Sequence, residues 1–104
     1  MAEGKGDMFS LPPAALLRLS KHYEAGAVKY GRNNYQKGIP ISAFMDSLLR
    51  HAFKYLDGQT DEDHLAAVCF NALGALQMEE RNPEMMDIET RVLTKEIYEE
   101  YKNR

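Results

Sequence analysis

The sequence predicts an all-α fold, a small bundle of about four helices that is completed by oligomerisation. Apolar residues recur at helical spacing in four segments. No β-branched run alternates with polar residues over the length of a strand, and the one Asp-Gly pair, Asp57-Gly58, is not flanked by such runs and so marks no hairpin. The chain has 104 residues, which indicates one domain with a modest core. Because self-association would enlarge such a core, we expect a homo-oligomer.

Residues 1–11 are predicted to form a flexible leader that contains two early glycines. Residues 12–104 then form a single helical domain. Its first helix should start at Pro12-Pro13, where the missing N–H of proline removes no hydrogen bond, and should end at Gly31. A connector of residues 31–41 follows, interrupted by glycine and proline. The apolar face of the first helix carries five residues, namely Leu16, Leu19, Tyr23, Ala27 and Tyr30.

The second helix is predicted from about Ser42 to Asp57, with Gly58 ending it. His51 lies within its apolar stripe, and a histidine in that place has two interpretations. It is either a core residue with satisfied hydrogen bonds or a phosphate-binding or acid–base group, because its unperturbed pKa lies near neutrality. The complete stripe is Phe44, Leu48, His51 and Tyr55.

The third helix is predicted to be capped by Thr60, to carry acidic residues in its first turn and to run to about Arg81. Asn82-Pro83 interrupts the helical pattern after that point. A fourth helix is predicted over residues 87–102. Its apolar positions are sparse, which is typical of a surface helix or of a helix in contact with another subunit.

Several protein classes are excluded at this stage. The single cysteine, Cys69, permits neither an intrachain disulfide nor a cysteine-rich zinc site, and it fits a reducing compartment. The first residues contain no apolar run behind a basic start, so no secretory signal is predicted. The most apolar stretch, residues 65–76, is too short to span a bilayer. We therefore expect a cytoplasmic protein with no membrane association.

Charge is distributed unevenly along the chain. The formal net charge of -3 argues against binding a nucleic-acid polymer through bulk charge. Residues 18–54 nevertheless carry seven basic and two acidic side chains, whereas residues 55–104 carry five basic and twelve acidic ones. The basic half also holds tyrosines and asparagines. Cations bind phosphate, amides bind base or ribose edges and rings stack on bases, so this half suits a small nucleotide.

The candidate nucleotide-binding residues come from the connector and the helices beside it. The alternative is that the cations form solvated helix faces and that the aromatic rings belong to the core. In the connector the two interpretations are about equally supported, because its cations, amides and rings have no evident packing purpose. The candidates are Lys29, Tyr30, Asn33, Asn34, Tyr35, Lys37, Arg50, His51, Lys54 and Asn71.

Acidic residues around the second inter-helix turn form a candidate metal site. Mg²⁺ prefers oxygen ligands, which carboxylates supply. The alternative is that these side chains cap the next helix and are otherwise solvated. His64 lies on the same helical face as Asn71, so the two form a polar stripe that needs a partner in the core or in a ligand. The carboxylates of the candidate metal site are Asp57, Asp61, Glu62 and Asp63.

The connector carries a motif that resembles a known family. Residues 26–38 read Gly-Ala-Val-Lys-Tyr-Gly-Arg-Asn-Asn-Tyr-Gln-Lys-Gly. This segment is similar to the GAxKYGxxNWxxG segment of the phage-type dATP/dGTP diphosphohydrolase N-terminal domain. The similarity continues in the same order through Arg50-His51, Asp61, His64-Leu65-Ala66 and Asn71, and it covers roughly residues 12–80.

The resemblance implies an all-α, MazG-like nucleotide pyrophosphohydrolase. Its substrates would be purine deoxynucleoside triphosphates, cleaved with a divalent metal such as Mg²⁺ to the monophosphate and pyrophosphate. The resemblance also implies that His51, His64 and Asp61 are catalytic. The other functional positions that it implies are Lys29, Asn34 and Arg50.

The chain departs from the family pattern at positions that suit metal chemistry. The loop before His64 is shortened, Ala67 replaces a second histidine and Gln59 replaces a glutamate. The first helix also lacks a Glu-Glu-x-x-Glu motif. Two functions therefore stay open: hydrolysis of a purine nucleotide, or a non-catalytic sponge that sequesters a nucleotide signal of host defence. A third possibility is a helical interaction protein without a ligand.

Overall fold

The computed structural model describes residues 3–32, 37–92 and 99–100, apart from the side chain of Tyr30. This part of the chain contains helices and turns but no strand, which confirms the predicted all-α class. No helix in it is both long and apolar enough to cross a membrane. The elements in chain order are a 3₁₀ turn at Met8–Ser10, α1 at Pro13–Tyr30, α2 at Ile41–Leu56, α3 at His64–Arg81 and a 3₁₀ turn at Pro83–Met85.

Proline and glycine set the ends of α1 and α2 close to the predicted positions. Pro13 begins α1, and Pro40 directly precedes the first residue of α2. Gly31 follows α1 with a φ of 89°, a conformation that favours glycine, and its N–H donates to the Ala27 carbonyl at 2.9 Å. The predictions for these two helices are therefore confirmed to within a residue at most boundaries.

The start of α3 differs from the prediction. Asp63 caps the helix instead of Thr60, because its side chain accepts a hydrogen bond from the Ala66 N–H at 3.1 Å. The helix consequently begins at His64. Asp61 and Glu62 thus lie in the turn before the helix, not in its first turn as predicted.

The core lies mainly between α2 and α3, which run antiparallel. Ile41 and Phe44 of α2 and Met78 of α3 form its buried centre. The Phe44 ring lies directly over the backbone of Gly74. A Cβ atom at that position would be only 2.3 Å from Phe44 Cε1, so glycine is what lets the two helices approach there.

Helix α1 packs along α3 in a parallel orientation. Arg18 meets Asp63 at the start of α3, and further along the Tyr23 and Phe70 ring centroids are 4.7 Å apart. Leu19 is the buried residue of the predicted α1 stripe. In α2 the predicted stripe holds at its start but fails at Tyr55, which is 50% exposed, because this last turn of α2 extends beyond the surface that α3 covers.

The segment after α3 returns to the beginning of α2. The Asp87 carboxylate accepts hydrogen bonds from the Ser42 N–H, at 2.8 Å, and from the Ser42 hydroxyl. Ile88 and two neighbouring methionines pack against the core. Helical backbone is described at residues 89–92 and 99–100, within the predicted fourth helix. The remaining positions of that prediction lie outside the described residues.

Candidate functional site

Two histidines and an aspartate form a continuous hydrogen-bonded chain between α2 and α3. His64 is buried at the first position of α3, and its Nε2 lies 2.7 Å from Asp61 Oδ1 in the preceding turn. Its other ring nitrogen, Nδ1, lies 2.9 Å from Nδ1 of His51 in α2. The structure therefore brings together the three residues that the resemblance implied to be catalytic.

The protons in this chain follow from the chemistry of its members. An ionised carboxylate only accepts, so the Nε2–H of His64 donates to Asp61. Neutral His64 then has a lone pair on Nδ1, which accepts from the Nδ1–H of His51. This arrangement leaves a lone pair on Nε2 of His51, which has no hydrogen-bond partner within the described part of the chain.

The surroundings of the hydrogen-bonded residues Asp61, His64 and His51 favour this arrangement of protons. The pKa of His51 is lowered, chiefly because burial disfavours its charged form. The pKa of Asp61 is also lowered, chiefly by its hydrogen bond with His64. The positive charge of Lys54 contributes to both shifts, so this predicted phosphate-binding cation lies beside the histidine chain.

Glu62 and His22 complete the polar surroundings. Glu62 Oε1 lies 3.7 Å from His51 Nδ1, and the Glu62 side chain is 50% exposed. His22 of α1 was missed by the sequence analysis because it lies outside the apolar stripe of its helix. Its ring packs on Phe70 with centroids 4.9 Å apart, and its charge lowers the pKa of His51. The sequence signal that could have identified His22 is its position directly before Tyr23, a residue of the apolar stripe.

The four carboxylates predicted to hold Mg²⁺ have separate partners in the structure. Asp57 accepts from Gln59 Nε2 at 3.0 Å, while Asp61 and Glu62 face the two histidines. The remaining carboxylate, Asp63, is bound by Arg18. Among the described residues, only His51, Glu62 and His64 form a group of three or more ligands that converge, with their ligand atoms all within 4.8 Å of one another.

The Asp63 carboxylate is held by hydrogen bonds from two helices. Its two oxygens accept from Arg18 Nε at 2.7 Å and from Arg18 Nη2 at 2.6 Å, while Oδ1 also accepts from the Ala66 N–H. These bonds lower the pKa of Asp63 to about 2, with the Arg18 hydrogen bond as the main cause. Asp63 therefore joins α1 to the start of α3.

Asn71 has its hydrogen-bond partners inside the chain. Its Nδ2 donates to the Ala67 carbonyl at 2.8 Å and to Ser47 Oγ of α2 at 3.2 Å. The predicted polar stripe of His64 and Asn71 is thus on the buried face of α3, where both residues reach partners in the protein. Arg50, another candidate, is exposed and pairs with Asp46 one turn earlier in α2.

Lys29 and Lys37, two candidate cations on either side of residues 33–36, lie at the other end of α2 from the hydrogen-bonded histidines. Lys29 and Lys37 are exposed. Asn33, Asn34 and Tyr35 lie outside the described residues, as does the side chain of Tyr30. Ten residues of helix, about 15 Å, separate the start of α2 from His51. Among the described candidates, the structure therefore separates Lys29 and Lys37 from His51 and Lys54 by most of the length of α2.

A groove between α1 and α3 lies between these two ends. It has a volume of about 740 Å³ and is mainly apolar. Tyr23 and Phe70 line it towards the histidines, while Gly31 and Arg32 line it where the connector begins. Its shape and its aromatic lining suit a flat ring system such as a nucleobase.

Fold and site together define a small all-α protein with a histidine–carboxylate cluster beside an aromatic groove. A family model described as "dATP/dGTP diphosphohydrolase, N-terminal" matches residues 1–88, and the chain belongs to this family. The matched part includes the connector, the groove and the whole histidine cluster. Searches among curated proteins and among solved structures gave no match.

Proposed function

We propose that the chain binds a purine deoxynucleoside triphosphate and hydrolyses it to the monophosphate and pyrophosphate. Family membership supports the reaction class. The observation that carries the proposal is the hydrogen-bonded chain from Asp61 through His64 to His51, which leaves on His51 Nε2 a lone pair without a partner among the described residues. Such a nitrogen can accept a proton, and burial lowers the pKa of His51, which favours the neutral, proton-accepting form of its ring.

The reaction needs a water molecule that attacks a phosphorus atom. His51 Nε2 accepts a proton from this water as its oxygen bonds to the α-phosphorus, and the bond to the bridging oxygen breaks to release pyrophosphate. The resulting imidazolium keeps its Nδ1–H on His64 and is 3.7 Å from the Glu62 carboxylate, which stabilises the new charge. Asp61 holds His64 in the tautomer that accepts this hydrogen bond.

The groove gives the substrate an orientation. Its apolar, aromatic lining suits the base, which would lie near Arg32. The phosphates would then extend past Phe70 towards His51, where Lys54 supplies a positive charge. This placement uses both groups of predicted residues on one ligand, although they lie about 15 Å apart along α2.

Chromatography after denaturation tests the function. The protein is incubated with dATP or dGTP in two sets of samples, one with chelator and one with added divalent metals. The nucleotides are then separated. We expect the monophosphate and pyrophosphate, and we expect His51→Ala to reduce turnover at least 100-fold, in the range of a lost general base. Asp57→Asn is the matched control and should leave turnover unchanged, because Gln59 is the one side chain in the described part of the protein that hydrogen-bonds Asp57.

Two outcomes would overturn hydrolysis. Recovery of intact nucleotide at one equivalent per chain would establish the non-catalytic sponge instead. Recovery of neither product nor bound nucleotide, with no shift in melting temperature, would remove nucleotide function altogether. Gln59 and Ala67 replace residues of the family pattern that suit metal chemistry, so the experiment must distinguish hydrolysis from binding without hydrolysis.

We also propose that the chain forms a homo-oligomer. An exposed apolar stripe follows the outer face of α2 at helical spacing, and single surface apolar residues are ordinary whereas a continuous stripe marks a contact surface. Phe53 and Leu56 are 68% and 77% exposed. The stripe comprises Met45, Leu49, Phe53 and Leu56.

A further inference from the structure

Three side chains around the turn between α2 and α3 bring potential metal-ligand atoms close together. The nitrogens His51 Nδ1 and His64 Nδ1 are 2.9 Å apart, and Glu62 Oε1 is 3.7 Å from the first of them. All the ligand atoms of this group lie within 4.8 Å of one another. We propose that His51, His64 and Glu62 form a site for a transition metal ion of the Zn²⁺ class, distinct from the predicted all-carboxylate Mg²⁺ site.

The distances suit a single small ion. Zn²⁺ binds imidazole nitrogen at about 2.0–2.1 Å and carboxylate oxygen at about 2.0–2.2 Å, so neighbouring ligands in a tetrahedral site lie roughly 3.4 Å apart. The two nitrogens are slightly closer than this value and the His51–Glu62 pair is slightly farther apart. Because Glu62 is 50% exposed, rotation of its side chain can adjust its carboxylate to the ion.

Asp61 supplies the support that a histidine ligand needs. A metal-bound histidine usually donates its second N–H to a carboxylate or carbonyl, which fixes the ring and makes it a better ligand. Asp61 Oδ1 is 2.7 Å from His64 Nε2, on the side of the ring away from the three ligand atoms. Asp61 is therefore a positioning residue in this site, and His64 is its rigid, buried ligand.

The ligand chemistry decides which ion is preferred. Mg²⁺ and Ca²⁺ bind oxygen and rarely imidazole, whereas Zn²⁺, Co²⁺ and Ni²⁺ bind imidazole well. Two nitrogens and one carboxylate therefore favour the second group. Three protein ligands also leave a coordination position for water or for a phosphate oxygen, as in catalytic zinc sites.

Metal binding changes the protonation of His51 in a defined way. The ion takes the place of the proton between the two Nδ1 atoms, and this proton moves to Nε2 of the same ring through solvent. No net proton is released. In the loaded protein Nε2 of His51 would carry this proton, so the proton-acceptor role proposed for His51 belongs to the metal-free protein, and a bound ion would supply Lewis-acid chemistry in its place. The metal site and the proposed hydrolysis share residues, but metal binding needs no nucleotide and is tested without one.

Binding of the metals alone tests the site. Protein stripped with chelator is titrated with Zn²⁺, Co²⁺ or Mg²⁺ by calorimetry, and the visible spectrum of the Co²⁺ form is recorded. We expect one Zn²⁺ or Co²⁺ per chain, a Co²⁺ spectrum typical of low coordination number and no Mg²⁺ binding at the same concentrations. Asp61→Asn should keep the stoichiometry and weaken affinity about 10–100-fold, the usual effect of a lost supporting carboxylate.

Variants of half-buried His51 and exposed Glu62 keep the test valid even if loss of buried His64 prevents folding. His51→Ala and Glu62→Gln should each weaken Zn²⁺ binding by more than 10-fold. His51→Ala also leaves buried His64 Nδ1 without its donor and should lower the melting temperature, whereas Glu62→Gln should leave the melting temperature nearly unchanged. Asp57→Asn is the matched control, because Asp57 lies outside the ligand group and pairs with Gln59, and this variant should bind Zn²⁺ as the unmodified protein does. The proposal is overturned if Zn²⁺ does not bind, if His51→Ala and Glu62→Gln bind normally, or if Mg²⁺ competes equally. Hydrolysis of nucleotides is measured separately, so either idea can fail alone.

Discussion

Substitution of Gly74 by alanine tests the closest contact between two helices in this fold. A Cβ atom there would lie 2.3 Å from Phe44 Cε1 and 2.7 Å from Cδ1 and Cζ, against 3.4–4 Å for ordinary contact. The buried Phe44 ring would have to retreat by roughly 1 Å, and overpacking of this kind costs about 1–3 kcal/mol. Alanine regains about 0.5–1 kcal/mol of helix propensity over glycine. The expected net loss is about 1–2 kcal/mol.

Urea unfolding at fixed protein concentration measures this loss as a lower midpoint. Thermal unfolding should show a fall of at least about 4 °C in Tm for a domain of this size. Gly26→Ala is the control, because Gly26 is inside α1 and nothing lies within 4 Å of its added Cβ. That change should raise stability by about 0.5–1 kcal/mol. Equal or greater stability of Gly74→Ala would refute the packing argument, and Phe44→Leu should reduce its penalty if the ring is the cause.

Three further outcomes are expected. Asp63→Asn should lower stability by up to about 1 kcal/mol at neutral pH by weakening the partly exposed Arg18 pair. Because the folded pKa of Asp63 is about 2, below its ordinary value, melting temperatures of variant and parent should converge as pH falls from about 5 towards 2; a constant gap would contradict this. Asp87→Ala and Ser42→Ala should each weaken the hydrogen bonds that hold the segment after α3 to the start of α2, and should therefore speed amide hydrogen exchange over residues 83–92. Unchanged exchange would show that these bonds do not anchor the segment. Phe53→Glu should reduce the mass measured by light scattering to that of one chain, whereas an unchanged mass would place any subunit contact elsewhere.

The helices could be predicted from sequence because their ends depend on local chemistry. Pro13, Pro40 and Gly31 restrict the backbone regardless of what surrounds them, so the bounds of α1 and α2 follow from spacing alone. The polar stripe of His64 and Asn71 was predictable for the same reason, since the helical period places both on one face. Their burial in the structure confirms that both needed partners.

The way in which the residues of the site come together in space could not be predicted in the same way. His22 approaches His51 only because α1 packs along α3, and this packing depends on long-range contacts such as Tyr23 with Phe70. Likewise, the approach of Glu62 to His51 depends on the path of a short turn. Residue type and spacing describe one element at a time, whereas these distances join three elements.

A shift of three residues at one helix cap separates the predicted site from the observed one. Had Thr60 capped α3, Asp61 and Glu62 would occupy its first turn and would satisfy the helix N-terminus. Asp63 caps the helix instead, and its bonds to Arg18 and to the Ala66 N–H stabilise that choice. Asp61 is then in the turn, where it reaches back to His64, and Glu62 approaches His51. The ion pair between α1 and α3 therefore supports the cap on which the histidine chain depends, and loss of Arg18 should weaken the site although Arg18 contacts none of its ligands.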